Sequence, residues 1–318
     1  MPHSILVVNP RASKVRAAAS LEPLLQAAVA ALTDRDGSPP EVVTPGDGDA
    51  TEALVREALA EHGSALASVV ALGGDGTARA VGASLAGSGV PLGILPGGTG
   101  NILAGVLGIP GSLTQAVELL RVARPRDIDL ADVTVEHADR PAGAPPVRTV
   151  SAIGCGIGFD ARLMATTTGE SKARWGRVAY LFQAVHLASS VGIVPYHLVI
   201  DGRPIETEAS IAMVTNMGDM VPGLVRPRFP AIPDDGLLDV FVVGARHALE
   251  GIRGLADQLL RTGTGGGPGS RTLRFRCHSA RLDSTPAEPI QVDGDPWGIG
   301  AIEATVRPGT LRVLVPPS

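Results

Sequence analysis

Ser68-Val69-Val70-Ala71-Leu72-Gly73-Gly74-Asp75-Gly76-Thr77-Ala78 is the stretch that decides how the first half of this chain folds. Val69 to Leu72 is a short apolar run of the kind that forms a buried strand. Gly73, Gly74 and Gly76 follow at once; glycines let the backbone bend through positive φ and approach a ligand with no Cβ in the way. A helix-compatible segment begins near Ala78, and a helix N-terminus presents unsatisfied N–H groups and a positive dipole end to an anion. Asp75 is out of place in an anion cradle unless it serves a metal ion or a proton network. Taken alone the turn has two readings, a phosphate cradle or an ordinary strand-to-helix turn capped by Asp or Thr.

A second turn shifts the balance. Pro91 to Leu95 is another short apolar strand, and it opens into Pro96-Gly97-Gly98-Thr99-Gly100-Asn101. Two glycine-rich strand ends in succession lie side by side at the carboxyl edge of one parallel sheet, where open α/β folds bind their ligands. The surrounding pattern agrees. Strands are expected at Ile5–Val8 and Glu41–Thr44, with helices over Val15–Leu32, Ala50–His62 and Leu113–Val122. Strands separated by helices mean βαβ units and a parallel sheet.

Past Pro125 the texture changes. Asp127–Glu136, Val147–Ile153, Tyr196–Ile200, Ala209–Thr215 and Leu238–Val243 read as strands separated by turns, which points to an antiparallel second domain. His137 to Pro146 reads as a hairpin loop and Thr262 to Ser270 as a glycine-rich connector. The apolar positions Val178, Leu181, Val185 and Ala188 recur at helical spacing within Trp175–Pro195. Arg177, Gln183 and His186 interrupt that stretch as a membrane span, so it is either a helix packed on the second domain or a face that touches lipid.

Composition bounds the class. The 318 residues carry a net charge of −5, which does not suggest nucleic-acid binding. Cys155 and Cys277 form no paired motif, and Cys155 between two glycines reads as a small packed residue rather than a nucleophile. The N-terminus reads as running straight into the strand Ile5–Val8, so no signal peptide is expected. A cytoplasmic protein is expected. Lys14 and Lys172 are the only lysines, and Lys14 follows Asn9-Pro10 closely enough to reach a phosphate at the sheet edge, as does Arg11.

GGDGT (Gly73–Thr77), LPGGTGN (Leu95–Asn101) and a first strand ending in Asn9-Pro10 resemble the diacylglycerol kinase catalytic domain, the family of bacterial lipid kinases and sphingosine kinases. Three later segments extend the resemblance: Ser151 to Asp160 with its glycines, Ile232 to Val240 (IPDDGLLDV), and Val292-Asp293-Gly294-Asp295. The resemblance implies an N-terminal Rossmann-like α/β domain of the NAD kinase and diacylglycerol kinase type, followed by a β-sandwich-like domain. Its boundaries would be residues 1–125, completed by about 300–318, for the nucleotide-binding part and 126–299 for the lipid- or acceptor-binding part.

The implied activity is ATP- and Mg²⁺-dependent phosphorylation of a lipid hydroxyl, that of diacylglycerol or a related lipid, entering between the domains. Gly73, Gly74, Gly76, Thr77, Gly98 and Thr99 would donate to the nucleotide, with Asn9 and Thr44 at neighbouring strand ends; Thr44 reads equally as a helix cap. Asn101 would order the second turn or a phosphate. The family often has an acid after that Asn, where this chain has Ile102. Asp75 would belong to the catalytic Mg²⁺ network, because a carboxylate beside a triphosphate needs a cation between them. Asp293 would be the general base, although Asp293-Gly294 is also a strong hairpin signal; Asp295 stands where the family has Glu. Asp235 with the carbonyls of Ile232 and Leu237 would hold a structural Mg²⁺, or form a polar turn. Two other functions fit the motifs less closely: an NAD kinase-like phosphotransferase, which shares GGDGT but lacks LPGGTGN, and a non-catalytic nucleotide- or lipid-binding homologue. Transient contact with a membrane surface and a homodimer are compatible with all of this.

Overall fold

The structure is a computed structural model, and it describes residues 3–17, 21–33, 37–141, 143–158, 192–216, 232–244 and 272–317. The expected helix within Trp175–Pro195, the connector Thr262–Ser270 and the Phe159-Asp160 end of the glycine-rich segment fall outside those residues. No helix among the described residues is long and apolar enough to cross a membrane. The chain divides into two compact units, Met1–Ile128 with Gly309–Ser318, and Asp129–Pro308.

The first unit is built on a parallel sheet. β1 (His3–Val8), β3 (Leu66–Gly73) and β4 (Leu92–Pro96) are almost wholly buried, the near-continuous apolar pattern of strands covered on both faces. β1 lies between β2 (Glu41–Val43) and β3, and β4 follows β3, all parallel. Helices fill the crossovers: α1 (Ser13–Ala17), α2 (Leu21–Leu32), α3 (Gly48–His62), α4 (Asp75–Leu85), α5 (Ile102–Val106) and α6 (Leu113–Leu120). α3 packs on α4, and α2 on α6. The described parts of the helix expected over Val15–Leu32 lie in α1 and α2, residues 18–20 between them falling outside the described residues, and α4 starts at Asp75 rather than near Ala78. The chain leaves β1 for β2 on one side and returns to β3 on the other. The strand order therefore reverses between β1 and β3, and the carboxyl ends of those two strands flank the topological switch point where such sheets bind ligands.

The second unit is an antiparallel sandwich. One layer runs β12 (Thr272–Cys277), β11 (Leu238–Val243), β10 (Ile211–Thr215), β7 (Gly154–Gly158) and β14 (Glu288–Val292). The other carries β9 (Arg203–Ala209), β8 (Val194–Ile200) and β13 (Ser279–Ser284), together with β5 (Arg124–His137) and β6 (Val147–Ser151). β15 (Asp295–Val315) joins them, pairing first with β14, then with β13, and finally, at Val313, with β4 of the first unit. Alternate residues of β8 and β13 are buried, as expected of strands with one face on a core. That core gathers Val133, Ile157, Tyr196, Leu198, Val240, Leu282, Ile290 and Ile302 from both layers. β5 and β6 pair antiparallel on either side of the expected hairpin loop, with Val135 opposite Val147.

Candidate active site

At the switch point three segments are knitted together by side chains. The Asn9 N–H donates to the Leu72 carbonyl at 2.9 Å, continuing the β1–β3 ladder one residue past β1. The Asn9 side chain then turns inward: Nδ2 donates to Thr77 Oγ1 at 2.9 Å, and Oδ1 accepts from the Arg11 N–H at 2.9 Å. Thr77 sits directly over Gly73, where a Cβ would come within 2.4 Å of its Oγ1. Gly73 is glycine because Thr77 occupies the space of its side chain. Gly74 is the N-cap of α4 and supplies no side-chain cap, so the first turn of that helix presents N–H groups with no intrahelical partner. Because Thr77 Oγ1 accepts from Asn9, its own hydrogen is free to turn to another acceptor.

Asp75 has a structural partner as well as an electrostatic setting. Its Oδ1 accepts from the Leu103 N–H at 3.1 Å, so it caps α5 from outside while standing in the first turn of α4. A carboxylate between two helix N-termini is favoured by both dipoles, which accounts for an acid at this turn without invoking a ligand.

The second turn is zipped onto the first. Gly97 and Gly98 both donate to the Gly73 carbonyl, at 2.7 and 3.2 Å. Asn101 closes the turn on itself, Oδ1 accepting from Gly98 N at 2.9 Å and Nδ2 donating to Gly98 O at 2.6 Å. It does so from a left-handed backbone (φ 51°), which Asn tolerates better than most residues. The Gly98 N–H, expected to serve a nucleotide, is thus committed to Gly73 and Asn101, and Asn101 orders the turn. Thr99 is exposed and donates its hydroxyl to Ser13 Oγ at 3.1 Å. Lys14 Nζ donates to the Gly111 carbonyl at 2.7 Å and Arg11 to Gly46 at 2.6 Å, so both cations close loops at this edge. The cap of α3 is Asp47, which accepts from Ala50 N at 2.8 Å; Thr44 stands exposed three residues earlier.

In the second unit, Asp293-Gly294 forms the two-residue loop between β14 and β15, closed by the pair Val292 and Asp295. Both loop residues have positive φ, 50° and 85°, the conformation of a type I′ hairpin turn. The Asp293 carboxylate reaches back to the junction of β6 and β7. Oδ1 accepts from Ser151 Oγ at 2.6 Å and from the Ile153 and Gly154 N–H groups at 3.0 Å, and Oδ2 from Ala152 N–H at 3.1 Å. Oδ2, with a single partner among the described residues, is the atom with lone-pair capacity for a proton. Ser151 and the backbone of 152–154 were not legible as partners, since they lie some 140 residues away in sequence. Asp295 is exposed. Burial and the neighbouring Asp293 charge push the Cys155 thiol far above its ordinary range, and burial raises Cys277 to about 12, so neither sulfur is a nucleophile.

The implied structural Mg²⁺ set does not fit. Asp235 Oδ1 accepts from Leu237 N–H at 3.1 Å, and Oδ2 is held by the Arg276 guanidinium. A donor N–H and a fixed positive charge stand where a cation would need lone pairs. The polar-turn reading of Asp235 is the one its contacts support. Arg276 itself was not anticipated.

Residues 3–133 match the diacylglycerol kinase catalytic domain, and residues 154–315 match the YegS C-terminal NAD kinase beta sandwich-like domain. The chain belongs to the diacylglycerol kinase catalytic-domain family. It is 34% identical to a Pseudomonas aeruginosa protein named "Probable lipid kinase YegS-like", over 92% of this chain and 89% of that protein. An uncharacterized Synechocystis protein, sll0036, is 27% identical over 78% of this chain, which spans about half (54%) of its length. A crystal structure of a diacylglycerol kinase from Bacillus anthracis superposes with a TM-score of 0.67 at 20% identity, covering 99% of this chain and 97% of that one, a likeness of fold. The mixed α/β unit followed by a β-sandwich is the architecture of this family.

Proposed function

We propose that this member of the family transfers the γ-phosphoryl group of ATP to the hydroxyl of a lipid, diacylglycerol or a relative of it. The observation that carries the reading is the N-terminus of α4 at the switch point, left without a side-chain cap and flanked by the Asn9–Thr77 pair. Phosphate oxygens suit that arrangement, since N–H donors and the dipole both favour negative charge. Gly74, Gly76 and Thr77 would bind the phosphates, with Gly73 kept bare so that Thr77 can fold over it. Asp293 would accept the acceptor hydroxyl's proton at Oδ2 as the hydroxyl oxygen bonds to the γ-phosphorus and the bridging oxygen leaves on ADP. Mg²⁺, when bound with the nucleotide, supplies charge neutralisation of the phosphate oxygens, and a hard carboxylate such as Asp75 suits it.

The test is labelled ATP with Mg²⁺ offered to mixed micelles of diacylglycerol, a sphingoid base and phosphatidylglycerol, and in parallel to NAD. Label appearing in a lipid product is expected. Label in NAD alone, or in no product despite measurable ATP binding, would overturn the reading.

Asn9→Ala removes the donor that orients Thr77 and frees its hydroxyl to rotate. The KM for ATP is expected to rise about tenfold, corresponding to one lost hydrogen bond, with kcat changed less than about twofold. A fall in melting temperature with no change in KM would mean that Asn9 only braces the strand ends.

A further inference from the structure

The Asp235 turn in the second unit is ordered by an arrangement the family resemblance did not imply. β12 reads Thr272-Leu-Arg-Phe-Arg-Cys277, with Leu273, Phe275 and Cys277 on the core side. Alternation then puts Arg274 and Arg276 together on the other face. β11 answers in register, with Leu238, Val240 and Val242 in the core and Asp239 paired directly with Arg276. Arg274 Nε and Nη2 both reach Asp239 Oδ1, at 2.9 and 2.7 Å, while its guanidinium lies 5.2 Å from the centre of the Phe241 ring. Arg276 bridges two carboxylates. Its Nη2 holds Asp235 and its Nε stands 4.0 Å from Asp239 Oδ2.

The turn itself is fastened from a third direction. Asp129, buried, donates its N–H to the Pro233 carbonyl at 2.6 Å and accepts the Gly236 N–H on Oδ2 at 2.7 Å. Every fastening of residues 233–237 named here is a protein donor meeting a protein acceptor. Asp235 and Asp239 each meet a guanidinium group, while the Asp129 carboxylate is met by a backbone N–H. A divalent ion placed on Asp235 would meet the Arg276 charge at contact distance, and a guanidinium has no lone pair to offer it.

We propose that Arg276 takes the place of a structural divalent cation, so that the turn leading into β11 is ordered without metal in this chain. The positive charge that gathers the turn is covalently supplied by β12 and cannot be chelated. Any magnesium requirement of the full chain then resides elsewhere.

Thermal melting of the full chain, in EDTA and in millimolar Mg²⁺ or Mn²⁺ without nucleotide, tests this. The wild-type melting temperature is expected to be the same within about 1 °C in all three buffers. A fall in EDTA restored by Mg²⁺, or metal retained in stoichiometric amount after dialysis, would overturn the proposal. Asp235→Asn, which disrupts the pair with Arg276 in place, is expected to lower the melting temperature by about 3–8 °C, equally in EDTA and in Mg²⁺. A loss confined to the Mg²⁺ buffer would point to a metal and sink the idea. Arg276→Gln, if it folds, is expected to gain about 2 °C or more from Mg²⁺ that the wild type does not gain. A melting temperature for Arg276→Gln equal to wild type in EDTA would also overturn it. Because the wild-type melts alone can refute the proposal, a failure of the variants to fold does not shelter it.

Discussion

Asp293→Asn is expected to reduce kcat for phosphoryl transfer roughly 100- to 10,000-fold, the range of a lost general base, with the KM for ATP within about twofold of wild type. The substitution is close to isosteric. Its carbonyl oxygen can keep the Ser151, Ile153 and Gly154 donors, while its NH₂ would meet the Ala152 N–H donor to donor. A stability loss of about 1–2 kcal/mol is therefore expected alongside, seen as a drop of a few degrees in melting temperature. The two effects are separable: turnover is measured well below the variant's melting point, with the lipid product as readout. Turnover within about threefold of wild type would leave Asp293 as a hairpin residue whose carboxylate does no more than pin the β6–β7 junction.

Gly98→Ala is expected to damage the first unit most. A Cβ there would lie 2.6 Å from the Gly74 Cα and 3.0 Å from Asn101 Oδ1. The nearer obstacle is backbone, so the two turns must part, and the Gly97 and Gly98 bonds to the Gly73 carbonyl go with them. Overpacking of this kind costs about 1–3 kcal/mol, and ATP affinity measured by calorimetry should fall tenfold or more as the α4 N-terminus shifts. Gly76→Ala is the matching control. A Cβ at Gly76 meets nothing within 4 Å, so the fold should keep its melting temperature while a phosphate approaching that backbone would be hindered. ATP affinity unchanged in Gly98→Ala would dissociate the zipped turns from nucleotide binding.

The parallel sheet was readable because its signals are local: apolar runs such as Val69–Leu72, each followed at once by a glycine turn. The partners inside the turns were not. Nothing in the spacing tells that Gly98 spends its N–H on Gly73, or that Asp75 caps a helix 28 residues later. In the second unit the misses have a common cause. β7, Gly154-Cys-Gly-Ile-Gly158, is a poor strand by composition, yet Cβ atoms at 154 and 156 would fall 2.6 and 2.8 Å from the Val214 and Ala212 carbonyls, so glycine is what close pairing with β10 demands. The strand expected over Val147–Ile153 ends at Ser151 because Asp293 claims the next three N–H groups. Similarly, Ala209–Thr215 is split at Ser210, whose N–H and hydroxyl both turn to the Val243 carbonyl. β9 carries Arg203, Pro204, Glu206 and Glu208 and takes its strand character from β8, to which it pairs across the turn at Asp201-Gly202, while β12, with two arginines, takes it from β11, well before it in sequence.

The long strand β15 sets a timetable for folding. The first unit contains Met1–Ile128 but is closed by Gly309–Ser318, with Val313 laid parallel to Leu92 and Leu311 and Val313 fully buried. On the ribosome, β1 to β4 must therefore wait, with the β4 edge uncovered, until the whole of the second unit has been synthesised. Bringing residues more than 200 positions apart into one sheet is a slow, entropically expensive closure. The edge of β4, buried in the finished fold, is meanwhile open to pairing with another chain.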